Sequence, residues 1–421
     1  MKLTKVFAFM ALAGLAGSAY ATNGYFSHGY GMKAKGMAGA STALHDDAFG
    51  GANNPAAMVF AGNRMDLGMD IFSPIREASN AGDFGTPVTS ESDANYFLVP
   101  EFGYNRMMNP NLSLGVTVYG NGGMNTDYPA LGGAFGTMNI LGGSGALGVD
   151  LMQLIVAPTA AYKVAPNHSI GISPLVGYQR FAATGIQPFS AYSSDAANLT
   201  NRGNDDAYGY GVRIGYMGKI TPTVTIGAAY ASKMNFEEFS KYKGLFAEQG
   251  DFDIPENYNL GVAWQATPAV KLALDYQRIN YGKVASVGNP VSNLLVLGQP
   301  LGSANGPGFG YSNIDVWKLG TEYKYSQNLT LRAGYSHSDN PISGSDLGEV
   351  LFNILAPAVI ENHVTLGFTY TLSSGDEVSM AYMHGFKNDV SAARPGAPFG
   401  TNVDTIEMYQ NSLGIQYSWK M

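Results

Sequence analysis

Four basic residues, Arg213, Lys271, Lys318 and Arg332, sit at positions whose alternation turns them toward the inner face of a sheet. A cation facing an enclosed interior suits a ligand carboxylate. Asp66, Asp70, Glu101, Asp275 and Glu322 share that parity, so wall-to-wall ion pairs are expected to neutralise most of the four. His45-Asp46-Asp47 sets metal-ligating residue types side by side. Adjacent residues do not offer one chelating face and no second cluster accompanies them, so no metal site is expected. These carboxylates are expected instead to cap backbone amides or to pair with Lys33, Lys35 or Arg64. Gly143-Ser144-Gly145-Ala146-Leu147-Gly148 fits G-x-G-x-x-G but follows no buried parallel strand, which argues against a nucleotide site. Among six scattered histidines and many serines no nucleophile stands out. The chain reads as a non-enzyme, with no catalytic residues and no cofactor.

The elements that position these groups follow from composition and period. Residues 1–21 read as an export signal: Lys2 and Lys5, the apolar run from Val6 to Ala16, then Ala19-Tyr20-Ala21 as a small-x-small cleavage site. The run is too short to span a bilayer as a helix. Losing Lys2 and Lys5 from 24 basic residues leaves 22 against 32 acidic, a net charge of −10, which disfavours nucleic acid as a partner. There is no cysteine, so the exported chain must be stable without disulfides. No run of about 18 apolar residues follows residue 21, which excludes a helical membrane protein. With 54 glycines, 26 tyrosines and only 13% charged residues, the composition fits a membrane β-barrel better than a soluble enzyme.

Alternation supports this. Met65, Leu67, Met69 and Ile71 alternate with Asp66, Gly68 and Asp70, and the same period returns at Tyr208–Tyr216 and Val364–Leu372. Short turns fall at 108–111, 165–167, 221–223, 267–269, 326–328 and 373–375. Long connections lie near 78–93, 124–150, 188–205, 241–254, 284–310, 340–357 and 389–402. This pattern predicts an all-β fold, a 14-stranded antiparallel transmembrane β-barrel over 61–421. Tyr104, Tyr162, Tyr216, Trp264, Tyr325 and Tyr370 each precede a short turn and form one predicted aromatic girdle. The last strand alternates Leu413, Ile415, Tyr417, Trp419 and Met421, an insertion signal that ends imperfectly in methionine. Residues 22–60 have neither strand alternation nor a clean amphipathic helix, and are predicted to fill the barrel as an N-terminal hatch.

Several motifs then resemble the FadL/TodX family of outer-membrane transporters for long-chain fatty acids and other hydrophobic compounds. They are Asn23-Gly24-Tyr25-Phe26 through Lys35-Gly36-Met37, Ala43-Leu44-His45-Asp46-Asp47-Ala48, Asn54-Pro55-Ala56-Ala57-Met58, Ile254-Pro255-Glu256 and Tyr382-Met383-His384-Gly385. The resemblance implies passive uptake of a hydrophobic molecule through the outer membrane. Outer loops catch the cargo, and a pocket in the barrel receives it. A shift of the hatch then releases it sideways into the bilayer where the third strand is kinked. The alternative is a water-filled porin for small polar solutes. Outer-membrane lipid, lipopolysaccharide and the barrel-assembly machinery are the further partners expected, around a monomer.

In residue terms, Gly120-Asn121-Gly122-Gly123 marks the expected kink, because glycine inside a strand signals a bulge or a close backbone approach; the plainer reading ends the strand there. Asn54, Pro55 and Ala56 are the expected gating element, with Asn54 supplying polar groups to the broken edge. Tyr25 and Phe26 offer aromatic surface to cargo or pack against the wall. Lys318 is a lumen cation for a carboxylate. The resemblance places Arg180 at a ligand-facing position, although parity turns it outward unless a bulge intervenes. Relatives use loops three and four for capture; here loop three is mostly polar, while loop four supplies Tyr242, Leu245, Phe246 and Phe252. The apolar stretches at 294–297, 350–355 and 131–151 are expected to form either the capture groove or a lid.

Overall fold

The computed structural model describes residues 23–421; the predicted export signal (1–21) and Thr22 lie outside the described residues. Fourteen strands form the wall. They are β1 (Arg64–Asn80), β2 (Phe97–Asn109), β3 (Leu112–Tyr128), β4 (Leu147–Ala165), β5 (His168–Thr184), β6 (Asp205–Lys219) and β7 (Val224–Ala231). The ring continues through β8 (Asn257–Gln265), β9 (Val270–Ile279), β10 (Ile314–Lys324), β11 (Leu329–Ser338), β12 (Asn362–Thr371), β13 (Glu377–Ala393) and β14 (Val403–Lys420). Each pairs antiparallel with its neighbours, and β14 closes on β1 from Arg64↔Lys420 to Asn80↔Asp404. Two short pieces attach to this ring: Val88–Glu91 on the top of β1 and Asn235–Phe236 on β6.

Closure follows from the solvent. Hydrocarbon offers backbone groups no partner, so a spanning sheet must leave no edge. Alternation does the rest. On β1 the even positions from Arg64 to Asn80 are buried, while Leu67, Met69 and Ile71 are exposed on the outer face. The same outer band carries Ile170, Ile172, Leu260, Leu274, Leu366 and Ile415, an apolar surface of the kind lipid covers. Of the girdle, Tyr162, Trp264, Tyr325 and Tyr370 are exposed, and Tyr104 and Tyr216 face outward half-buried.

The hatch fills the bore. From Asn23 to Val59 every residue is buried except Leu44 to Asp47 and Asn53. It is short of regular structure, with one helical turn (Met32–Lys35) and a 3-10 turn (Pro55–Ala57) running into Met58–Ala61. Its backbone polar groups are therefore satisfied by the wall. Gly31 N–H donates to Glu101, Met32 N–H to Gln416, Ala38 N–H to Thr365 and Ala48 N–H to Asp66. One Asp275 oxygen accepts from both Ser41 and Thr42 N–H at 2.8 Å. Wall glycines make room: a Cβ on Gly171 would lie 2.4 Å from the Pro55 carbonyl carbon, and one on Gly215 2.0 Å from Asn54 Oδ1.

Buried ion pairs tie the hatch down. Lys35, on the helical turn, sits between Asp70 of β1 (3.0 Å) and Glu101 of β2 (2.9 Å). Lys33 pairs with Glu377 of β13 at 2.7 Å. Lys35→Met strands two buried carboxylates without their cation, a loss of about 3–5 kcal/mol. The expected outcome is a hatch that becomes protease-sensitive while the wall stays heat-resistant on gels; an unchanged hatch would show that these contacts do not hold it.

Candidate functional site

The wall is breached at one place. β2 and β3 pair from their short turn only as far as Phe102↔Val118. Above that, Phe97 to Glu101 pair with β1 alone, and Tyr119 to Tyr128 pair with β4 alone. The lips meet again at the top, where Asp93 N–H donates to Asp127 O at 2.8 Å. β3 turns inward across this interval. Its burial loses the period of two, and all residues from Tyr119 to Thr126 are buried. The register with β4 slips between Gly120 and Gly122, which makes Asn121 an extra, bulged residue. The strand thus continues through the glycine run to Tyr128 and does not end there.

The hatch tip occupies the exposed edge. Ser27 N–H donates to Asn121 O (3.1 Å) and Gly123 N–H to Tyr25 O (3.3 Å), so Tyr25–Ser27 acts as a short substitute strand on β3. Such an approach requires glycine: a Cβ on Gly122 would lie 1.9 Å from Tyr25 O. Asn121 is fixed from both sides, donating to Gln153 at 3.0 Å and accepting from the Tyr30 hydroxyl at 3.3 Å. Tyr30 stacks edge-on to Tyr119 with centroids 4.6 Å apart.

Above the tip lies an aromatic column. Tyr25 contacts Phe26, Tyr281 and Phe252 with ring centroids 5.4, 5.1 and 6.1 Å away. Phe252 meets Phe246 at 4.8 Å. Phe246 lines an apolar cavity with Phe189, Phe309, Leu301, Leu351 and Leu355. That cavity leaves about 40 Å³ free, room for only a few water-sized particles. It opens toward a vestibule of about 270 Å³ bounded by Phe84, Pro188, Phe189, Leu351, Arg394 and Phe399. Vestibule, cavity, Phe246, Phe252 and Tyr25 form one route that is mixed in character at its mouth, where Asp83 and Arg394 line it, and apolar from the cavity to Gly122.

The predicted residues separate into three groups. Tyr25, Phe26 and Phe246 converge on this route with Gly120, Asn121, Gly122 and Gly123. Asn54, Pro55 and Ala56 lie elsewhere, seated on β5 and β6. Asn54 Oδ1 accepts from Ala56 N–H at 3.1 Å, and Nδ2 donates to Thr42 O (2.8 Å) and Tyr216 O (2.9 Å). The expectation that Asn54 serves the broken edge is therefore corrected: it caps its own turn, and the tip backbone meets that edge. Arg180 follows simple parity without a bulge, faces outward and pairs with Asp150 at 3.3 Å, because Gln179 and Phe181 take the inner face. Of the lumen cations, Lys271 and Arg332 share Glu322 at 3.2 and 2.7 Å. Lys318 is buried, donates to His28 O of the hatch at 3.1 Å and lines a polar chamber beneath Phe26 with Arg213. Two Arg213 nitrogens have no partner.

At the barrel floor, Asp47 caps Phe49 N–H at 3.1 Å, while the backbone carbonyl of Asp46, not its carboxylate, accepts from Lys33 and Arg64. Among the loops, 350–355 buries into the barrel mouth as a lid, with Val350, Leu351, Ile354 and Leu355 nearly inaccessible. Val296 and Leu297 remain exposed at a loop tip. The vestibule belongs to the loops after β1, β3, β5, β11 and β13, so loop four supplies the throat and not the outer groove. Sequence reasoning expected a broken edge at the third strand but did not identify β2 as its other lip, for which Pro100 was the available signal. A proline inside a strand points to an edge, and β2 is an edge at that height.

The family now follows. Residues 12–417 match the model of the outer membrane protein transport protein family (OMPP1/FadL/TodX). The chain belongs to that family. Among solved structures it is similar to the P. putida toluene transporter TodX, at 20% identity and TM-score 0.69. It is also similar to a Pseudomonas aeruginosa FadL homologue (15%, 0.72) and to the Ralstonia pickettii toluene transporter TbuX (18%, 0.65). Each comparison covers 94% of this chain and 99% of the other. No curated protein sequence matches the chain. This FadL/TodX-family barrel is a bacterial outer-membrane transport channel for hydrophobic compounds and not an enzyme.

Two outcomes test the site. Gly122→Ala should lift the tip off β3, seen as faster hydrogen exchange at the Ser27 and Gly123 amides; unchanged protection would refute the docking. Asp251, beside Phe252 in loop four, is pushed up to about 7 by burial and by the neighbouring Asp253 charge. A raised carboxyl stabilises the folded loop at low pH, and that contribution fades as pH rises from about 4 through about 7. Protease cleavage of loop four should accelerate across that window in the wild type and lose the step in Asp251→Asn.

Proposed function

We propose that this chain takes up a hydrophobic molecule passively and releases it sideways between β2 and β3 into the outer membrane. The observation that carries this reading is the hatch tip paired to the unladdered edge of β3 at the foot of an apolar route. Cargo gathers in the vestibule, parts the aromatic side chains around the cavity and reaches Tyr25 and Phe26. Displacing Tyr25–Ser27 then uncovers the gap. Phe246 forms the throat, and Lys318 with Arg213 offers positive charge below the tip for a carboxylate that follows the tail. Asn54, Pro55 and Ala56 act as the fixed end about which the tip moves. No step needs an energy source, since transfer from water to bilayer is downhill for an apolar molecule.

The toluene transporters among the similar structures favour small aromatics as one cargo, and the lumen cations favour long-chain acids as another. A water-filled porin is disfavoured by the filled bore. We further propose that the barrel works as a monomer in outer-membrane lipid and lipopolysaccharide, inserted by the barrel-assembly machinery.

A reversible cross-link tests the lateral route. Asp93 and Asp127 lie at the top of the gap, joined through backbone. Asp93→Cys with Asp127→Cys should lower uptake several-fold when oxidised and restore it on reduction. Unchanged uptake in the oxidised form, or a large steady ion conductance in the wild type, would overturn the proposal.

A further inference from the structure

Arg76 has no place in the route just described, yet it sits at the gap. It is turned inward on β1 and 3% exposed, at the height where β1 has lost its ladder to β2. Its guanidinium reaches both lips: Nη1 donates to Asn125 O on β3, and Nη2 to Ala94 O on the segment leading into β2. The group lies over the Phe97 ring, 5.8 Å from its centroid. Nε is without a partner, as is the hydroxyl of neighbouring Tyr128. Among the described residues no carboxylate pairs with Arg76. A buried guanidinium met only by carbonyl oxygens keeps most of its charge uncompensated, which is costly in a low dielectric.

We propose that Arg76 is a latch across the lateral opening that an anionic headgroup releases, so that this channel prefers long-chain carboxylic acids to neutral molecules of equal length. This rests on the lateral route proposed above. A carboxylate forms charge-assisted, two-pronged hydrogen bonds with a guanidinium, stronger than those to a carbonyl oxygen. It therefore draws Arg76 away from Asn125 and Ala94 and frees the lips as the tail passes. A hydrocarbon or an alcohol offers the guanidinium nothing comparable. Arg76 is thus a specificity-determining residue, separate from Lys318 and Arg213 on the hatch side.

Hexadecanoate and hexadecan-1-ol share a tail and differ in charge. Their uptake is measured in cells whose outer membrane carries the full-length chain as its sole channel of this kind. The wild type should favour the acid. Arg76→Met should abolish that preference by raising alcohol uptake about tenfold, to the level of the acid, the effect of removing a charged hydrogen bond from the clasp; Arg76→Lys should keep part of the preference. Equal loss of both would make Arg76 a structural clasp and overturn the proposal. If Arg76→Met does not assemble, equal uptake of acid and alcohol by the wild type overturns it. An Asp93–Asp127 cross-link without effect would refute the lateral route itself. A cross-link that blocks uptake, with Arg76→Met keeping the wild type's preference for the acid, would refute the latch alone.

Discussion

A backbone hydrogen bond left unmade in hydrocarbon costs several kcal/mol, and this constraint governs the whole molecule. It closes β14 onto β1 and forbids any free edge against lipid. A breach in such a wall persists only if other groups take over the missing ladder. Here two substitutes are present: the backbone of Tyr25–Ser27 on the edge of β3, and the Arg76 guanidinium between Asn125 and Ala94. Both can be withdrawn without unfolding a strand. A side opening in a sealed cylinder is thereby reconciled with the bilayer around it.

The hatch is built as two unequal halves. Its later part is locked by Lys33 and Lys35 salt bridges and by Asn54, whose amide holds Thr42 and Tyr216 while its carbonyl oxygen caps the following turn. The tip is held by two long backbone bonds, a tyrosine hydroxyl and tilted ring contacts. Aromatic contacts are non-directional enough to be exchanged for contacts with apolar cargo, whereas buried ion pairs are not. The weaker hold therefore falls where the wall is incomplete. The cavity above is nearly closed, with about 40 Å³ free, so cargo and side chains must trade places.

Charge is arranged to match. Cations that would otherwise attract solutes into the bore are neutralised near the floor, Lys271 by Asp46 and Glu322, Arg332 by Glu322 and Arg64 by Asp66. Those that form no salt bridge, Arg213, Lys318 and Arg76, lie around the tip and the gap. Uncompensated charge is expensive, and it is placed where β2 and β3 are left unpaired.

Strand number, turn positions, the lipid-facing band and the filled bore were legible from the sequence alone, because alternation and turn chemistry are local properties of the chain. Gly122 was readable as a close approach for the same reason: only glycine leaves that space. Arg180 could be oriented by parity, and the structure follows parity. Tertiary structure alone decided which edge was left open and what fills it. Asn54 sits on β5 and β6 and not on β3, while Tyr25–Ser27, distant in sequence from residue 122, completes that strand. Arg76 looked like one more inward residue of β1. Its isolation from any carboxylate arises only when β2 and β3 part, and the parting of two strands is a relation between segments that no period within either one records.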